Sequence, residues 1–123
     1  AHVDVDDDVS GALARLKPEV ALYVGGMGHR DKNFHKDMMI RRGFGDAADR
    51  IQELFLAGRK DEATAAVPDE WVDEKSLVGP PARIKQRYRR WEDAGLLNTL
   101  YVRSKQDEAI EVMAEAARLN APR

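Results

Sequence analysis

The chain has 123 residues, which suits one domain, and 43% apolar against 34% charged residues describes a soluble globular protein rather than a disordered one. A net charge of −2 gives no general pull toward nucleic acid or anionic lipid, and zero cysteines exclude disulfides, thiolate metal sites and cysteine nucleophiles. The longest apolar run, Val20 to Val24, is far short of a membrane span and no signal peptide is visible, so a reducing, cytoplasmic setting is expected.

The opening "AHVDVDDD" starts on Ala1 rather than methionine, as expected of a piece of something longer. Its alternation at His2, Val3, Asp4 and Val5 suits the last residues of a strand. Asp6, Asp7 and Asp8 then offer N-cap and first-turn charge for a helix. Val9, Leu13, Leu16 and Val20 follow at steps of four, three and four, so one helical stripe runs on toward Tyr23 and Met27. Pro18 predicts a kink or restart in it, because proline lacks the amide donor and crowds the preceding turn. Further helices are predicted over 31–42, stopped by Gly43, over 46–57, stopped by Gly58, and over 60–66, closed by Pro68.

The second half has a different rhythm. "DEKSLVGPPARI" reads as a short strand at 76–78, a glycine turn and prolines opening a helix. That helix, 82–94, aligns Ile84, Tyr88 and Trp91 and ends at Gly95. "LLNTLYVR" is the strongest strand pattern in the chain. Residues 105–119 close it as a helix with a small-residue face of Ala109, Ile110, Val112, Met113, Ala116 and Ala117. Strand, helix, strand, helix is the order of parallel sheet units with crossover helices, so the expected class is α/β, mostly helical with two or three short strands. Each crossover helix offers about four apolar side chains, worth roughly 1.5–3 kcal/mol apiece when buried. So few short strands cannot cover them all, and the chain reads as part of a larger sheet protein or as one that pairs with a second copy.

Three stretches carry a resemblance: "ALYVGGMGHRDKNFH", then "GFGDAADRIQELFLAGRKDEATAAVPDEWVD", then "SLVGPPARIKQRYRRWEDAGLLNTLYV". In that order they resemble the C-terminal part of the bacterial luciferase-like oxidoreductases, nearest the branch that uses the deazaflavin coenzyme F-420. The resemblance runs from about Val5 to Leu119. It implies roughly the last third of a (β/α)₈ TIM barrel, with residues 1–67 as a helical, insertion-like half and 68–123 as the last two strand–helix units. Residues 76–78 would be its seventh strand, 97–102 its eighth and 105–119 its terminal helix. It further implies hydride transfer or monooxygenation with coenzyme F-420 or FMN in the complete protein, most cofactor contacts lying on earlier strands. The isolated segment is expected neither to bind the cofactor tightly nor to turn over. Its expected partner is the remainder of the barrel or a second copy in a homo-oligomer, not nucleic acid or membrane. The alternative is a self-contained helical module for dimerisation or partner binding.

Individual constellations bear on these readings. In "YVGGMGHRD", Gly25, Gly26 and Gly28 lack the spacing of a dinucleotide or phosphate loop, since Asp31 stands where the last glycine belongs. They are read mainly as a helix break with a tight turn, and alternatively as a contribution to the mouth of a cofactor pocket. His29, Asp31, His35 and Asp37 are metal-friendly types, yet they meet no fixed ligand spacing, so no metal is expected. "RIKQRYRRW" interleaves basic residues with aromatics, but Tyr88 and Trp91 lie on the buried stripe and are not free to stack on bases. Barrel enzymes place their chemistry at the carboxyl ends of strands, where His2 and Asp4, Gly79, and Arg103 with Ser104 fall. Arg103 and Ser104 are therefore candidate contacts for substrate or an anionic cofactor group. The plainer reading makes Arg103 a surface residue and Ser104 the N-cap of the last helix. No catalytic residue follows from spacing.

Overall fold

The computed structural model describes residues 1–95 and 97–118. They form two compact units, Ala1–Ala12 with Lys75–Arg123, and Leu13–Glu74.

The first unit is built on two parallel strands, β1 (Val3–Val5) and β2 (Leu77–Gly79), in the register Val3↔Leu77, Asp4↔Val78, Val5↔Gly79. Both strands stand within a residue or two of where the alternation predicts them. Because side chains alternate across a strand, Val3, Val5 and the Val3 partner Leu77 share one face. That face is covered by α6 (Pro81–Asp93) and α7 (Asp107–Ala116), whose Ile84, Ala109, Val112 and Met113 complete the core, with Tyr88, Trp91 and Leu100 at its margin. The helix α6 opens with Pro80 at the N-cap and Pro81 in the first turn, where a missing amide costs nothing. Gly95, at φ 69°, follows its end. In α7 the apolar face is narrower than expected, since Ile110 stands 58% exposed.

One strand expectation is overturned. Residues 97–102 are not a strand among the described residues: Arg103 forms a single parallel bridge with His2, and the Tyr101 carbonyl accepts from the Ala1 ammonium. The reason lies in the available edge. Arg103 donates its N–H to the Ala1 carbonyl (2.8 Å) and accepts from the Val3 N–H (3.0 Å). The next ladder position, Val5, is taken by the side chain of Gln106, which accepts from its N–H at 2.8 Å and donates to its carbonyl at 3.0 Å. Ser104 meanwhile accepts from the Gln106 N–H at 3.1 Å, turning the chain into α7. The backbone leaves the ladder after one residue.

The second unit holds most of α1 (Val9–Gly26), then α2 (Phe34–Arg41), α3 (Gly45–Leu56), α4 (Lys60–Ala65) and α5 (Asp69–Glu74). The helix α1 passes through Pro18 without the restart expected there. Leu13, Ala21, Val24, Met39, Ala48, Ile51, Leu54, Ala63, Val67, Trp71 and Val72 are its buried apolar residues. Gly43 and Gly58, at φ 90° and 80°, stop α2 and α3 where predicted. The six-residue α5 is too short to show a period in the sequence. It forms behind Pro68 with acidic first-turn residues, and sets Trp71 edge-on to Phe44 at 5.4 Å. No described helix is long and apolar enough to cross a membrane.

Candidate functional site

The glycine stretch lies in the second unit. Gly25 and Gly26 are not a break but the last residues of α1. A Cβ on Gly25 would come within 2.5 Å of Phe55 Cβ, and one on Gly26 within 2.4 Å of Phe55 Cε1. Their lack of a side chain lets α3 lay Phe55 against the helix backbone. Gly28, at φ 85°, supplies the turn, and its missing Cβ leaves room for the Lys32 carbonyl.

The loop that follows is held by two buried amides. Asn33, 3% exposed, caps two helices at once. Its Nδ2 donates to the carbonyls of Tyr23 (3.1 Å) and Val24 (2.8 Å) near the end of α1, while its Oδ1 accepts from the Lys36 N–H (3.0 Å) at the start of α2. This cap explains why α2 begins later than predicted. Gln52, from α3, donates to the Arg30 carbonyl at 3.0 Å and accepts from Lys36 Nζ at 2.7 Å. Asp49 balances the Lys36 charge at 3.0 Å. Beside this network lies an open hollow of about 520 Å³ lined by Arg30, Lys36, Asp49, Gln52, Glu53, Leu56 and Ala57. Its two basic and two acidic side chains offset each other, so it presents no strong field to an anion. His35 packs between the rings of Tyr23 and Phe34, with centroids at 4.8 and 5.7 Å. Among the described residues no group of three or more His, Asp or Glu is placed to hold a metal ion.

The carboxyl ends of the strands lie in the first unit. Asp6 continues the β1 ladder by donating its N–H to the Gly79 carbonyl at 3.1 Å. Its Oδ1 accepts from the Asp8 N–H at 2.9 Å, and Asp8 Oδ1 accepts from the Gly11 N–H at 3.0 Å. Asp8 is thus the N-cap that the acidic run promised. Gly79 has φ 126°, a conformation that favours glycine, and a Cβ there would meet Arg83 Cδ at 2.8 Å. Arg83 Nη1 reaches back to the Val78 carbonyl at 2.6 Å. Arg103 is exposed and uses its backbone in the bridge to His2. Burial first, and the Arg103 guanidinium second, lower the pKa of the nearby Ala1 ammonium. Ser104 is not the N-cap of the last helix; Gln106 holds that position, and the Ser104 hydroxyl bonds its amide.

The candidate residues therefore divide between the units: Gly25, Gly26 and Gly28 in one, Arg103 and Ser104 in the other. Sequence reasoning missed Asn33, Gln52 and Gln106 as organising residues. For Asn33 a signal existed, an asparagine directly before an apolar helical run. For Gln52 and Gln106 there was none, since glutamine has no characteristic position and both reach residues distant in sequence.

Comparison with known proteins places this arrangement. The family model described as luciferase-like monooxygenase matches residues 1–98. A Mycobacterium tuberculosis protein that carries the name of a coenzyme F-420-dependent oxidoreductase is 43% identical over 96 residues. The alignment covers 78% of this chain and 28% of the relative, so the chain spans little more than a quarter of that curated protein's length. No solved structure gives a significant match. The family match stops short of Arg103 and Ser104, whereas the resemblance read from the residues runs on to 119. With residues 1–98 inside the family model, the chain belongs to the luciferase-like monooxygenase family.

Proposed function

We propose that this chain is the closing third of a luciferase-like (β/α)₈ barrel and serves an oxidoreductase that uses coenzyme F-420 or FMN. The observation that carries the reading is the 43% identity, along 78% of the chain, to a relative named for dependence on coenzyme F-420, of which the chain covers 28%. The parallel pairing of β1 with β2, and the helices α6 and α7 on one face of the pair, support it. Substrate identity and the choice between hydride transfer and monooxygenation belong to the complete protein.

When bound, the deazaflavin or flavin supplies the redox chemistry, and the barrel binds and orients the substrate. The residues of this chain do not by themselves fit such a group. Phe55 covers Gly25 and Gly26, and the Lys36 hollow is charge-balanced. No chemical step is therefore assigned to them. In the complete protein Gly25, Gly26 and Gly28 contribute through the shape of the loop that Asn33 fixes. Arg103, in its single bridge to His2, and Ser104 beside it are the proposed contacts for an anionic group, which a guanidinium can meet.

Alone, the segment neither binds the cofactor tightly nor turns over. Its partner is the remainder of the barrel or a second copy, in a cytoplasmic homo-oligomer. Calorimetric titration of oxidised and reduced coenzyme F-420 and of FMN into the 123-residue chain is expected to show no saturable binding at micromolar concentration. Micromolar binding to the isolated chain would refute the proposal.

A further inference from the structure

The basic run of α6 and the acidic run of α7 are only partly used within their own unit. Both helices cover the same face of the strand pair, so their outer sides form one surface. Two ion pairs join them, Lys85 with Glu115 and Glu92 with Arg118. Arg89 and Arg90 on α6, and Asp107, Glu108 and Glu111 on α7, are exposed and have no ion-pair partner among the described residues. Helix dipoles account for part of this pattern. Arg90 stands in the last turn of α6, and Asp107 and Glu108 in the first turn of α7, where such charges are favoured. The dipoles do not account for Arg89 or Glu111, which lie outside those turns. Nor do they account for Ile110, 58% exposed between Asp107 and Glu111 on the same side of α7.

We propose that the outer side of α6 and α7 is a self-complementary docking face for a second copy of this chain. A two-fold contact needs one patch that complements itself, and a surface basic on one helix and acidic on the next does so. An axis passing midway between Arg89 and Glu111 brings Arg89 of each copy to Glu111 of the other, and covers the exposed Ile110 side chains. A uniformly acidic or uniformly basic partner fits only half of this face, because it meets like charge on the other helix. At 1.5 Å per residue the 13 residues of α6 span about 20 Å and the 10 residues of α7 about 15 Å, each about 10 Å across. Such a face is smaller than the roughly 800 Å² per partner of standard interfaces, so the pairing is weak and salt-dependent. The inference rests on the reading that the protein works as a homo-oligomer, and adds where the copies meet.

Two charge reversals in the complete protein test it, Arg89→Glu and Glu111→Arg, both at exposed helix positions where substitution leaves the fold intact. Sedimentation velocity of the parent is expected to show self-association that weakens about tenfold between about 0.05 and 0.5 M salt. Each variant alone is expected to associate at least about tenfold more weakly, since Arg89→Glu sets acid against acid and Glu111→Arg sets base against base. In their equimolar mixture every such contact joins opposite charges. Mixed pairs, resolved by a size tag on one variant, are expected to be at least about tenfold more stable than either variant paired with itself.

An oligomer that persists unchanged in both variants would overturn this face while leaving the homo-oligomer reading intact. Variants that both weaken but do not pair with each other on mixing would overturn the match of Arg89 to Glu111. A parent protein that is monomeric at every concentration tried would sink the homo-oligomer reading and this proposal with it. Capture of an oligoglutamate peptide by that monomer, lost in Arg89→Glu, would assign α6 to an acidic partner instead.

Discussion

Replacing Asn33 by alanine is the most direct test of how the glycine stretch is held. The side chain is 3% exposed and makes three hydrogen bonds, two to carbonyls of α1 and one from the first turn of α2. At about 1 kcal/mol net for each bond, and with an N-cap alone worth about 0.5–2 kcal/mol, Asn33→Ala should destabilise the chain by about 2–4 kcal/mol. Urea slopes of small proteins are about 1–3 kcal/mol per M, so the unfolding midpoint should fall by about 0.7–4 M. Asn33→Ser separates the two roles. Serine can still accept from the Lys36 N–H, but it cannot span to Tyr23 and Val24. It should recover about 1 kcal/mol of the loss and no more. Urea denaturation followed by far-ultraviolet circular dichroism measures both. An alanine variant within about 0.5 kcal/mol of the parent would refute the double-cap reasoning. A serine variant as stable as the parent would show that the bonds to the α1 carbonyls contribute nothing.

Other substitutions probe the same contacts. Gly25→Ala and Gly26→Ala should each cost about 1–3 kcal/mol by overpacking against Phe55. Adding Phe55→Leu should rescue only Gly26→Ala, whose clash is with the ring rather than with Phe55 Cβ; equal rescue of both in thermal melts would contradict the packing. Gly79→Ala should cost about 1–3 kcal/mol through its φ of 126°, and pairing it with Arg83→Ala should leave most of that loss in place. Gln52→Ala should cost about 1–3 kcal/mol and speed amide exchange in the loop at 27–33; unaltered exchange there would show that the Arg30 carbonyl does not depend on Gln52.

The helices other than the short α5 were legible from the residues alone, and so were the stops of α2, α3 and α6. The glycines at 43 and 58 end α2 and α3, and the Ile84, Tyr88, Trp91 stripe of α6 faces the core as its spacing requires. Two boundaries moved for local reasons that composition underweights. Asn33 delays α2 by capping it, and Ser104 with Gln106 shortens α7. The glycines at 25 and 26 read as a break because helix interiors disfavour glycine. Their partner Phe55 lies thirty positions away and leaves no mark on the spacing. The family was also legible, in the order of "YVGGMG", "KNF" and "LVGPPARI", because those motifs record turns and caps that few sequences share.

By itself, then, the sequence determined the helical segments apart from α5, the α/β class, the two short strands and the family. Helical hydrogen bonds close within four residues, so periodicity, caps and glycine stops all act inside one short window. Only the tertiary structure decided that "LLNTLYVR" contributes a single bridge, that its neighbour is β1, and that a glutamine completes the ladder. A sheet edge joins residues far apart in the chain, Val5 and Gln106 being 101 positions apart, and the strand propensity of a segment does not state which edge is open to receive it.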